Sequence, residues 1–222
     1  IIRSVFGTLG ILCNFYAVDH LLLSDASMLN KMSPFFAILC SMFFLREKTR
    51  PYQIGAVLTA FAGALFIIRP TFSNLELLPS LIGLLGGFAA GAAYTAVRFL
   101  GQRGERGPFV VFFFSAFSCL FCLPFMIADY APMSLYQLTM LLLAGFAAAG
   151  GQFTITFAYF YAPAGEISIY DYTQILFATL WSLVIFSQVP DLFSILGYLI
   201  ICTAAVVNFL LAQRQTRRKK NS

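Results

Sequence analysis

Only a tenth of this 222-residue chain is charged while 60% is hydrophobic, so the few ionisable groups that sit among apolar residues are where chemistry would be done. Lys31, next to Asn30, lies inside the apolar run 25–45, and Asp171, next to Tyr172, lies inside the run 166–187. An ionised side chain within a membrane span costs about 2.5–3.5 kcal/mol to insert, so each needs a wet cavity, a partner or a ligand. Lys31 offers a cationic, hydrogen-bonding anchor to a carboxylate or phosphate. Asp171 could receive an amine or titrate a coupled proton. A structural Lys31–Asp171 pair is the alternative, although a helical rise of 1.5 Å per residue from opposite faces separates the two by about 10 Å in depth.

Asp25 and Glu166 each open an apolar run at D-x-S or E-x-S spacing. There a carboxylate accepts free amide N–H groups and meets the positive end of a helix dipole, so capping is the expected role. Glu166 is also a candidate gate or proton site, because its loop Ala162-Pro163-Ala164-Gly165 brings no basic partner. Tyr16, Tyr94 and Gln152, with Asn14, Thr154 and Gln174, are polar groups within apolar runs that could line a cavity. The five cysteines lie in apolar runs, where the thiol acts as a small hydrophobe, and the Cys119-x-x-Cys122 pair has no partners at metal spacing. The single histidine is His20, and neither H-E-x-x-H nor G-x-S-x-G nor a phosphate-binding P-loop occurs. No cofactor is expected, and an intramembrane enzyme has little support.

These residues must be held by helices. The apolar residues fall into eight runs, 3–23, 25–45, 52–69, 80–99, 109–128, 136–160, 166–187 and 192–212. About twenty residues of helix cross about 30 Å of hydrocarbon. The expectation is therefore an all-α membrane protein with eight visible transmembrane helices. Pro34 and Pro124 should kink their spans. Glycines at four-residue spacing, Gly83, Gly87, Gly91 with Thr95 and Gly55, Thr59, Gly63, should let helix backbones approach closely.

Arg3, Arg46, Lys48, Arg50, Arg98, Arg103, Arg106, Arg214, Arg217, Arg218, Lys219 and Lys220 all fall on one side of the spans, and Arg69 alone falls on the other. Cytoplasmic loops collect Lys and Arg, so the basic tail 213–222 is expected in the cytoplasm. The net charge of +5 belongs to that membrane surface and is not a nucleic-acid footprint. The first residue is Ile1 rather than Met, and the chain is read as a fragment.

A shift of 141 residues places Asp25-Ala26-Ser27 on Glu166-Ile167-Ser168 and Phe36-Ala37 on Phe177-Ala178. It also sets Asn30 and Lys31 on Asp171 and Tyr172. Five helices per unit is an odd number, so successive units enter the membrane from opposite sides, which makes the duplication an inverted repeat. The residues Phe15-Tyr16-Ala17, Leu22 to Ser27, Ser33-Pro34-Phe35-Phe36, Phe44-Leu45-Arg46-Glu47-Lys48 and Gly63 to Pro70 resemble the EamA-type repeat of the drug/metabolite transporter superfamily. Residues 1–70 resemble the last three helices of the first repeat and 80–212 the whole second repeat. Where the first copy has Glu47, the second has Gln188, so that acid is not reproduced.

The resemblance implies ten helices in two inverted five-helix repeats, truncated at the amino end, around a central cavity. It implies a secondary active transporter that exports or exchanges a small metabolite or drug-like solute by alternating access in a bacterial plasma membrane. The partners expected are a small-molecule substrate, membrane lipids and a second copy of the chain. Lys31, Asn30, Asp171, Tyr172, Tyr16, Tyr94 and Gln152 are the expected substrate contacts, and Asp171 and Glu166 the expected proton carriers. A non-transporting assembly or receptor subunit is the open alternative.

Overall fold

In hydrocarbon, backbone N–H and C=O groups must be satisfied within their own segment, which is why the apolar runs fold as helices. The computed structural model describes residues 1–46, 51–68, 77–128, 132–162, 167, 173–187 and 189–220. Among them the elements are α1 (Ile2–His20), α2 (Leu23–Asn30), α3 (Ser33–Cys40) with a π-helical turn Ser41–Leu45, α4 (Pro51–Ile68) and α5 (Leu77–Gln102). They continue with α6 (Gly107–Ala128), α7 (Leu135–Tyr161), α8 (Thr173–Val184) and α9 (Leu192–Lys220). Glu47, Arg69, Glu166, Asp171, Tyr172 and Gln188 lie outside the described residues.

Among the described residues, five segments are long and apolar enough to cross a membrane: Leu23–Leu45, Leu77–Gln102, Gly107–Ala128, Leu135–Tyr161 and Leu192–Arg214. Pro51–Ile67 is a shorter apolar helix. The helix α1 has 19 residues and carries Arg3, Asn14, Asp19 and His20, which dilute its apolar character. Helix α9 does not stop with its apolar run but continues through the basic tail to Lys220.

Helix termini follow local chemistry. Ser134 caps α7 in a reciprocal box, its hydroxyl accepting from the Gln137 amide while the Gln137 side chain accepts from the Ser134 amide. The π-helical turn ends at Arg46, a non-glycine residue with φ 53° and ψ 30°, which breaks the chain direction before α4.

Helix α5 is the hub, packed on α1, α2, α3 and α7. Its small residues explain why. A Cβ at Gly87 would sit 2.7 Å from the Leu29 carbonyl oxygen, and one at Gly91 would sit 2.6 Å from the Ser33 carbonyl oxygen and 2.8 Å from the Ala37 amide nitrogen. Gly83 faces Ala17 and Leu29 on the same side. Thr95 closes the stripe, its hydroxyl lying within hydrogen-bonding distance of the Gly91 carbonyl (3.0 Å) and the Ala37 carbonyl (3.3 Å). Gly86 meets α1 instead, against Cys13 and the Gly10 carbonyl. The expected stripe of α5 is thus a backbone-to-backbone interface.

The stripe expected on α4 behaves differently. Only Gly63 is in tight contact, against Gly197 and Ile201 of α9, while Gly55 has open space around it and Thr59 bonds back to the Gly55 carbonyl at 2.9 Å. Equal spacing in sequence does not ensure equal use, because a stripe is needed only where a second backbone arrives. Arg3, counted among the surface cations, is instead buried, its guanidinium carbon 3.9 Å from the centroid of the Phe114 ring. Residues 135–151 of α7 are exposed throughout, an apolar surface that only hydrocarbon or another apolar helix can cover.

Gly91→Ala is expected to force α5 away from α3 and to cost about 1–3 kcal/mol, as overpacked interfaces do. Its thermal unfolding midpoint in detergent should fall below that of wild type, whereas Gly55→Ala should leave it in place. An unchanged midpoint for Gly91→Ala would contradict the close approach.

Candidate functional site

The run 25–45 is not one helix. Proline at 34 has no N–H to give the carbonyl of residue 30, and its ring crowds that carbonyl. The chain accordingly leaves α2 after Asn30, turns through Lys31 and Met32, and restarts as α3 with Pro34 in its first turn. The Lys31 amide still reaches the Ser27 carbonyl at 3.0 Å, and the Met32 amide tightens onto the Leu29 carbonyl at 3.1 Å. The kink expected from Pro34 therefore falls at Lys31, one residue past the carbonyl that proline leaves without its helical donor.

This break is among the most enclosed parts of the molecule. Lys31 is only 6% exposed, with Met28, Leu29 and Met32 fully buried beside it and Asn30 half-buried. Glycine at position 87 of α5 is what lets a second helix lie against it, since the Asn30 carbonyl oxygen would be 3.4 Å from a Cβ there.

Tyr94 lies on α5, which packs on the break, and Gln152 on α7, which packs on α5. Seven residues beyond Gly87 on the same face of α5, the half-buried Tyr94 stacks on Tyr159 of α7 with ring centroids 4.4 Å apart and planes 12° from parallel. Seven residues back from Tyr159, Gln152 donates to the Thr156 hydroxyl at 3.3 Å. Because α5 and α7 are tied at the tyrosine stack and each rises about 10 Å over seven residues, Gln152 stands at the depth of Gly87 and Asn30. Thr156 and Tyr159, both 1% exposed, complete this strip. They were not singled out from the sequence, although their i+4 and i+7 spacing from Gln152 marks them as sharing its face.

Tyr16 is not brought to this place. It is 37% exposed and stacks on His20 at the end of α1, ring centroids 4.2 Å apart. Asp171, Tyr172 and Glu166 are outside the described residues.

Asp25 departs from the capping role expected of it. It lies in the first turn of α2, where the positive helix end favours a carboxylate, but the cap position is Leu22. Its carboxylate accepts a hydrogen bond from the Tyr198 hydroxyl of α9 at 2.5 Å, and both residues are buried. Asp191 is the carboxylate that does cap, receiving the Ser194 amide at 3.0 Å at the start of α9.

An open depression of about 890 Å³ lies away from Lys31. It lies at the end of the bundle that carries Arg103 and Arg106, lined by Gly104 to Phe109 with Phe157, Phe160 and Tyr161. These last three belong to the same end of α7 as Tyr159, which does not itself line the depression. The described parts are a buried cation at a helix break and, on α5 and α7, a tyrosine stack with an amide two turns away.

Residues 1–69 match the EamA-like transporter family. The chain is 34% identical over 207 residues to the pseudopaline exporter CntI of Pseudomonas aeruginosa, an alignment covering 93% of this chain and 72% of that protein. It is 27% identical over 212 residues to an uncharacterized transporter of Helicobacter pylori, covering 92% of this chain and 71% of that one. A segment covering 38% of this chain is 35% identical to 31% of a riboflavin transporter of Brucella anthropi. A crystal structure with 20% sequence identity superposes with a TM-score of 0.65 over 96% of this chain and 75% of its own, which supports the fold alone. Apolar helices of membrane-crossing length, a cation buried at a proline break and kinship over nine-tenths of the chain point the same way: this is a multi-pass membrane transporter and belongs to the EamA-like transporter family of the drug/metabolite transporter superfamily.

Proposed function

We propose that the protein is a secondary active transporter that exports a small organic solute bearing an anionic group across the bacterial plasma membrane by alternating access. The observation that carries this reading is Lys31, buried at the break between α2 and α3. Transporters commonly place substrate at discontinuous helices near the bilayer midplane, where freed backbone groups and a charged side chain can meet a ligand without lipid contact. Lys31 would hold a carboxylate or phosphate, Asn30 and Gln152 would hydrogen-bond its polar groups, and Tyr94 would give an aromatic face. The names of relatives, a pseudopaline exporter and a riboflavin transporter, support a small metabolite as cargo, and the first of them supports export as the direction.

In this reading the chain supplies helices of two inverted five-helix repeats, the first within 1–70 and the second within 80–212, with the tail 213–222 in the cytoplasm. Its basic end is then the cytoplasmic one, and the depression at Phe157 and Phe160 is the inner mouth of the path. The seam between repeats opens to one side at a time. Proton movement through Asp171, with Glu166 as the other candidate, drives export.

A thermal-shift screen of anionic metabolites against the full-length protein identifies a ligand. Lys31→Gln should then weaken its binding about tenfold to a hundredfold, the worth of a charge-assisted hydrogen bond, in protein that still folds. Equal affinity in the mutant would remove Lys31 from the site.

In proteoliposomes, an imposed pH gradient should drive uptake of that ligand by the wild type, and Asp171→Asn should abolish the gradient dependence while preserving passive exchange. Gradient-driven uptake by the mutant at the wild-type rate would take Asp171 out of the coupling step.

A further inference from the structure

A buried carboxylate within an apolar helix needs a reason beyond helix stability, and Asp25 has one that neither its capping position nor the solute site explains. Its carboxylate, on a residue 8% exposed, accepts from the hydroxyl of Tyr198, on a residue 9% exposed, across 173 positions of sequence. Among the described residues, α2 packs on α1, α4, α5 and α8, and has no extensive interface with α9. The bond is therefore a polar tie between two helices whose direct packing on each other is slight, set within the shared apolar core. A neutral phenol stabilises a carboxylate by donation without cancelling its charge, so the tie is strongest while Asp25 is ionised and weakens when a proton occupies it.

We infer that Asp25 is a proton-binding site and that its bond to Tyr198 is the latch that keeps the end of the bundle opposite the basic tail shut. Under the proposed reading of alternating access, on which this rests, α2 belongs to the first repeat and α9 to the second. Asp25, in the first turn of α2, lies six residues before Lys31 at that helix's far end, about 9 Å by helical rise. Protonation of Asp25 loosens α2 from α9 and opens the seam beside the solute site. The proton adds to a carboxylate oxygen and no other bond changes.

Other titratable groups described near this end have their own settings. Asp191 is engaged by the Ser194 amide, and Asp19 and His20 lie at the exposed end of α1, 3.6 Å apart. Lys31 and Tyr198 are the remaining ones on α2 and α9 at this level. The described parts of α4, α5 and α8 bring no Asp, Glu, Lys or His.

The latch can be read without knowing the solute. Spin labels at Leu22→Cys and Leu192→Cys, in the full-length protein with its native cysteines replaced and held in lipid nanodiscs, report the separation of α2 from α9 by pulsed electron resonance. Wild type should shift from a shorter to a longer separation as pH falls. Asp25→Asn should lose that response, Tyr198→Phe should show the longer separation already at neutral pH, and Asp19→Asn should behave as wild type. A separation that does not change with pH in the wild type, or an Asp25→Asn protein that titrates like wild type, would overturn the inference. Loss of the pH response with Lys31-dependent binding intact would reject the latch and leave the transport reading standing; the reverse result would reject the solute site alone.

Discussion

The interaction on which the rest of this structure depends is the approach of α5 to the broken helix α2–α3, backbone against backbone. A helix break in an apolar setting leaves carbonyls without their helical donors, and such groups are tolerated only where protein encloses them or water reaches them. Pro34 makes the break, and Gly87 and Gly91 allow α5 to enclose it, since side chains at either position would collide with the Leu29 or Ser33 carbonyl. Lys31 is then held in a protein-walled place rather than in lipid, which is the condition for a buried cation to serve a ligand.

The same closeness organises the neighbouring elements. With α5 fixed on α2–α3, its next turns present Tyr94 to Tyr159, and the stack sets the height of Gln152 on α7. On the far side, α4 and α9 cross at Gly63 and Gly197, a second backbone contact that depends on glycine at both positions. Between these two rigid contacts runs a seam bridged by the Asp25–Tyr198 bond. Both contacts and that bond lie in one continuous apolar core, in which packed interfaces hold their shape while a hydrogen bond can be made and broken.

Much of this was legible in the sequence, for local reasons. The apolar runs mark the helices because a helix of that length satisfies its own backbone in hydrocarbon, and α5, α6 and α7 extend at most three residues beyond the runs at either end. The Pro34 break was legible because a missing N–H is a property of one residue. What escaped depends on partners far away in sequence. Asp25 has the spacing of a cap, yet its carboxylate meets a tyrosine 173 residues on. Gly55 and Gly87 look alike in a string, but only one has a carbonyl waiting opposite. Tyr16 and Tyr94 are both tyrosines in apolar runs, and only packing separates the one on His20 from the one on Tyr159. Arg3 was read as a surface cation because its cover, Phe114, lies on another helix.

The central claim is that solute binds at the broken helix. It is met most directly by a cryo-electron microscopy map of the full-length protein in nanodiscs with a bound anionic ligand. The account predicts ligand density at the α2–α3 break, with an anionic oxygen within hydrogen-bonding distance of Lys31 Nζ and the Gln152 amide beside it. Density confined to another part of the bundle, with Lys31 still enclosed by protein, would contradict it.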